Sequence, residues 1–115
     1  MADCPYPIQN DPTKLKPEMQ KALSLFHDKF QFKTVECLRT AERQAWMLAN
    51  GKSKVAHSAH QDGRACDIFP LPNGYSTNAS ILMEMHELWA ECCKAVGHEA
   101  HPAISWDMCH IQLDL

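Results

Sequence analysis

At 115 residues, with 45% hydrophobic and 22% charged side chains, the chain has the size and make-up of one ordinary globular domain, with room for one core and one site. No apolar run approaches the ~20 residues needed to span a bilayer, which argues against membrane insertion. A net charge of -3 supplies no basic field of the kind nucleic-acid binding requires.

Residues 1–15 carry three of the seven prolines and no clear period, and they read as an irregular lead-in. Met1 is not followed by a basic and then an apolar stretch, so no secretory signal is expected and synthesis is placed in the cytoplasm. From Pro17, the positions Met19, Ala22, Leu23, Leu25, Phe26 and Phe30 predict a helix with one apolar stripe and proline in its first turn. Phe32 to Leu38 predicts a short strand, after which Thr40 caps a helix running through Trp46 to Asn50 and stopped by Gly51.

Lys52 to Gly63 reads as a polar loop, Arg64 to Phe69 as a strand, and Pro72-Asn73-Gly74 as a turn. Ser76, Thr77 or Asn78 caps a long helix whose apolar face is Ile81, Leu82, Met85, Leu88, Trp89, Cys92 and Val96, with Gly97 as its stop. A terminal strand is expected between Ile104 and Leu115. Helices and strands together predict a single α+β domain over residues 1–115.

The six cysteines, Cys4, Cys37, Cys66, Cys92, Cys93 and Cys109, contain no CxxC pair. They are read as reduced, small buried hydrophobes rather than a disulfide framework. Among the seven histidines, His27 and His86 fall within helices and His98 and His101 in a polar loop, so these four are read as ordinary surface or hydrogen-bonded residues. His57 has no clear partner.

The segment Ser58-Ala59-His60-Gln61-Asp62-Gly63-Arg64-Ala65-Cys66-Asp67 is different. A turn at Gly63 brings His60 and Asp67 toward one point, and Trp106-Asp107-Met108-Cys109-His110 supplies a second imidazole. Two nitrogens and one carboxylate leave the fourth position of a tetrahedral zinc open, as in catalytic sites. In regular strands Cys66 faces away from Asp67 and Cys109 away from His110, which disfavours a cysteine-closed structural zinc. Zinc-assisted hydrolysis also needs a group that accepts and returns a proton, and Asp107 is the candidate, on a turn that enters the last strand.

Ser58, His60, Gly63, Ala65 and Asp67 match the pattern Ser-x-His-x-x-Gly-x-Ala-x-Asp. In this, the chain resembles the zinc D-alanyl-D-alanine carboxypeptidases and the related L-alanyl-D-glutamate endopeptidases used as phage endolysins. Asp107 and His110, with Trp106 beside them, resemble the family's acid-x-x-His. Arg39, Thr40 and Gln44 resemble its Arg-(Ser/Thr)-x-x-x-Gln. The three blocks lie in the family's order between about residues 37 and 112. The chain departs from the family where His98 to Ser105 leads directly to Trp106, in place of a glycine-rich turn and longer loop.

The resemblance implies a small antiparallel sheet with flanking helices, of the Hedgehog and D,D-peptidase kind. It implies Zn2+ held by His60, Asp67 and His110, Asp107 as general base and then acid, and Arg39 on a substrate carbonyl or carboxylate, with Ser58 and Gln61 touching substrate or shaping their loop. The implied activity is cleavage of the L-Ala-D-Glu bond of the peptidoglycan stem peptide, by a monomer that reaches the wall once the membrane is permeabilised. A D-Ala-D-Ala carboxypeptidase is the alternative within the enzymes, and a non-catalytic zinc-stabilised binding domain the alternative outside them.

Overall fold

The computed structural model describes residues 3–114. It is an α+β domain of three helices and a four-stranded antiparallel sheet. The elements run α1 (Pro17–His27), β1 (Phe32–Glu36), α2 (Ala41–Ala49), β2 (Ala65–Pro70), α3 (Ala79–Ala95), β3 (Glu99–Ala100) and β4 (His110–Asp114). The strand order is β1-β2-β4-β3. No helix among the described residues is long and apolar enough to cross a membrane.

One face of the sheet carries the core. Cys66 and Ile68 of β2 and Ile111 and Leu113 of β4 point toward α1 and α3, whose buried residues are Met19, Ala22, Leu23 and Phe26 on one helix and Met85, Trp89, Cys92 and Cys93 on the other. Phe26 packs edge-on against Trp89 with ring centroids 5.4 Å apart, a geometry that adds aromatic quadrupole attraction to the burial of both rings. Two residues expected on the apolar stripes, Leu25 and Ile81, are exposed, while Cys93 is buried beside Cys92. The buried arc of α3 is therefore turned toward Cys93 relative to the expected one. The six cysteines are all free thiols.

Side chains alternate across a strand, so Asp67, His110, Gln112 and Asp114 lie on the face away from these helices. That face positions the site. Asp67 of β2 is paired directly with His110 of β4, and Glu36 of β1 with Asp67. The β1–β2 register runs Thr34 to Ile68 and then Glu36 to Asp67, so Val35 is an extra residue, a β-bulge. Without it Glu36 would oppose Cys66 and face the core.

The helices begin where short polar side chains satisfy free backbone N–H groups. Thr40 accepts from Arg43 N at 3.1 Å and Asn78 from Ile81 N at 3.0 Å. The expected terminal strand starts only at His110. Between Ile104 and His110 the chain makes two successive turns, closed by Asp107 N to Ile104 O at 2.9 Å and His110 N to Asp107 O at 3.1 Å. The polar loop expected around His98 and His101 contains the two-residue strand β3, too short for any periodic signal.

Candidate metal centre

Each of the three predicted ligands reaches the centre from a different local structure. Asp67 and His110 are cross-strand neighbours on the open face. His60 comes from the loop before β2, where Ser58 Oγ accepts from His60 N at 3.2 Å and Gln61 Oε1 accepts from Ser58 N at 2.9 Å. Ser58 and Gln61 thus shape the loop that carries His60. Gly63 closes it at φ 71°, where a side chain would be strained and its Cβ would crowd Lys16 N. That close approach lets Lys16 N donate to Gly63 O at 2.9 Å and ties the loop to the start of α1.

One ligand atom each from His60, Asp67 and His110 lies within 4.8 Å of the others. Asp67 Oδ1 is 3.3 Å from His60 Nε2 and 3.2 Å from His110 Nδ1. A tetrahedral zinc with donors at ~2.0–2.2 Å needs donor separations of about 3.3–3.5 Å. The outer nitrogens of both rings are already committed. His60 Nδ1 donates to Cys37 O at 2.8 Å and His110 Nε2 to Gln112 Oε1 at 2.9 Å.

A neutral imidazole carries one hydrogen, so the nitrogens facing Asp67 hold lone pairs directed at a carboxylate oxygen. Such an arrangement repels unless a proton or a metal cation sits between the groups. The pKa shifts carry the same electrostatics. Burial pushes the Asp67 carboxyl up, yet positive charge shared with the close His110 and His60 rings outweighs it and holds the group well below the carboxylate range. Burial pushes His110 down, and Asp67 with Gln112 more than reverses it. The donor set, charge and fixed outer hydrogen bonds fit zinc.

Arg39 is buried, with its guanidinium held on two sides. Its Nε and Nη2 donate to Glu36 at 3.1 and 2.9 Å, and its Nη1 donates to Gln44 Oε1 at 2.8 Å. One hydrogen each on Nη1 and Nη2 is left over, and Nη2 stands 3.9 Å from Asp67 Oδ2. The Arg-Thr-x-x-x-Gln spacing thereby acquires a local meaning. Thr40 starts α2, and Gln44, one turn later, grips Arg39 while its own Nε2 donates to Ser53 Oγ and Val55 O at 3.0 and 2.7 Å. Arg43 shares Glu36, donating from Nε at 2.6 Å.

Asp107 sits half-buried on the first of the two turns before β4. Burial pushes its carboxyl up, and the charge of Asp67 adds to the shift. His86 anchors this segment from α3, its Nε2 donating to Met108 O at 2.7 Å. Trp106 is 70% exposed at the rim, with the Lys54 ammonium 5.2 Å from its ring centroid. His57 is not without a partner, since its Nε2 lies 2.7 Å from Asp62 Oδ1.

Sequence reasoning missed Glu36, Gln112 and Asp114 as parts of the site. For the last two a signal existed, because every second residue from His110 shares its face of the strand. For Glu36 there was none, since the bulge that turns it to the site depends on pairing with β2.

No protein-family model matches the chain, and no curated protein matches it in sequence. In structure it is similar to the crystal structure of the Serratia marcescens L-Ala D-Glu endopeptidase ChiX, with a TM-score of 0.77. The likeness covers 90% of this chain and 83% of that one, at 23% sequence identity. It establishes a shared fold.

Proposed function

We propose that the chain is a zinc peptidase that cuts the L-Ala-D-Glu bond of the peptidoglycan stem peptide. The observation that carries this reading is the convergence of two imidazole lone pairs on Asp67, with a fixed guanidinium and a separate half-buried carboxylate beside them. The shared fold with an L-Ala D-Glu endopeptidase supports the same class of bond.

His60, Asp67 and His110 hold the ion. Zinc, when bound, supplies Lewis acidity that polarises a peptide carbonyl and acidifies water. Asp107 takes the proton of the attacking water and returns it to the leaving amine, a role suited to a carboxyl whose pKa is raised. Arg39 turns its two spare donors to the substrate carboxylate or to the oxygen on which charge develops, and Glu36 and Gln44 keep those donors in place. Ser58 and Gln61 act through the shape of the His60 loop.

The D-Ala-D-Ala carboxypeptidase reading differs in what lies beyond the scissile amide. In both bonds the leaving residue is a D-amino acid with a free α-carboxylate beside that amide, so one arginine and one zinc serve either. An endopeptidase must also let the γ-linked remainder of the peptide leave. The short path from His98 to Trp106, ending in the tight Ile104–Asp107 turn, leaves little material on the rim and favours an open cleft. A non-catalytic zinc domain needs neither a held Arg39 nor Asp107.

In this reading the protein acts on the wall as a monomer. Turbidity of purified sacculi incubated with the protein tests the class of function. It should fall with zinc present and stop falling when a chelator is added. Constant turbidity with the zinc-loaded protein contradicts a wall hydrolase.

A further inference from the structure

We infer that Gln112 and Asp114 are positioning residues that fix which nitrogen His110 turns toward the metal centre, an inference that rests on the metal-site reading above. His110, Gln112 and Asp114 occupy every second position of β4 and rise from one face of the sheet. Asp114 stands at the outer end of this row. Its Oδ1 accepts from Gln112 Nε2 at 3.0 Å and from Arg64 Nη1 at 3.1 Å, and its Oδ2 lies 3.1 Å from His101 Nδ1.

An ionised carboxylate only accepts hydrogen bonds, so the nitrogen end of the Gln112 amide must face Asp114. The oxygen end must then face His110, where it accepts from Nε2 at 2.9 Å. That contact keeps the ring hydrogen on Nε2 and leaves a lone pair on Nδ1, aimed at Asp67 Oδ1 3.2 Å away. A reversed amide would put an N–H against Nε2, drive the hydrogen to Nδ1 and remove the donor that a metal needs.

The two histidines are set by unlike means. His60 is set by the backbone carbonyl of Cys37, which cannot turn over. His110 is set by a side-chain amide, which can turn over, and Asp114 is what prevents it. The frame around the amide is rigid, because the Gln112 carbonyl accepts from Trp89 Nε1 at 3.0 Å and from His101 N at 2.9 Å.

Zinc titration of the full chain, with nitrogen NMR of the zinc-loaded protein, tests this. Gln112→Leu removes the acceptor and should weaken zinc binding about 10–100-fold. Gln112→Glu keeps an acceptor toward His110 and should bind within a few-fold of wild type. The wild-type spectrum should place the His110 hydrogen on Nε2, in slow exchange with water. Gln112→Leu binding zinc as tightly as wild type overturns the inference, as does a His110 hydrogen on Nδ1 in the zinc-loaded wild type. That spectrum decides even if Gln112→Leu fails to fold. A wild type that binds no zinc removes the metal-site reading itself, a failure distinct from an unchanged affinity in the variant.

Discussion

Glu36 stands directly opposite Asp67 across β1 and β2, and the extra residue Val35 puts it there. Two carboxylates thereby face one site, with the Arg39 guanidinium 2.9 Å from the first and 3.9 Å from the second. The fixed cation relieves the repulsion between them and is itself held in one plane by the two-pronged contact with Glu36.

Glu36→Gln should therefore lower stability in a pH-dependent way. Burial pushes the Glu36 carboxyl up, but hydrogen bonds from Arg43 and Arg39 outweigh it and leave it below its usual 4.5. A depressed folded-state pKa gives stability that is present above the unfolded value and is lost as pH falls through the folded one. At neutral pH the variant leaves two guanidinium groups short of a buried partner and should be less stable by about 3–5 kcal/mol. The gap should narrow as pH falls below about 4.5 and through the lower folded-state value. Urea unfolding of both proteins across this range checks it, and a gap that does not change with pH would contradict it.

His60→Ala, Asp67→Ala and His110→Ala should each lose most bound zinc, because three protein ligands leave no redundancy. Metal analysis of the purified, folded variants is the check. Zinc near one per chain in any of them removes that residue from the ligand set.

Asp107→Asn should keep both fold and zinc while turnover falls about 100- to 10,000-fold, since an amide cannot accept the proton. Full turnover in this variant would make Asp107 a plain turn carboxylate, and Glu99 would be tested next.

Arg39→Lys keeps a positive charge but cannot span Glu36 and Gln44 while facing the site. Turnover should fall about 100- to 1,000-fold, the scale of losing one fixed donor to a developing oxyanion. Arg39→Ala should be worse. Equal rates in all three forms would leave Arg39 with a structural role alone.

What could be read in the sequence was what local chemistry controls. Thr40 and Asn78 cap helices through their own side chains, and the stripe from Met19 to Phe26 follows from helical period. The spacing of His60 and Asp67 about Gly63 is likewise local, set by one loop and one positive φ. What escaped was set by pairing across the sheet. The bulge at Val35 exists only against β2, the partnership of His86 with Met108 O joins residues 22 apart in sequence, and β3 is two residues held by β4. The turn that carries Asp107 into the last strand was legible from the side its carboxylate must face, whereas the second turn, which delays β4 to His110, has no apolar period to distinguish it from a strand.

Mass spectrometry of wall digested by the zinc-loaded protein tests the central claim most directly. Cleavage at L-Ala-D-Glu should yield peptides with a new N-terminal D-glutamate and muropeptides ending in L-alanine, with no free D-alanine, and Asp107→Asn should yield neither. Release of free D-alanine from a pentapeptide stem, with the L-Ala-D-Glu bond left whole, would contradict it in favour of a carboxypeptidase.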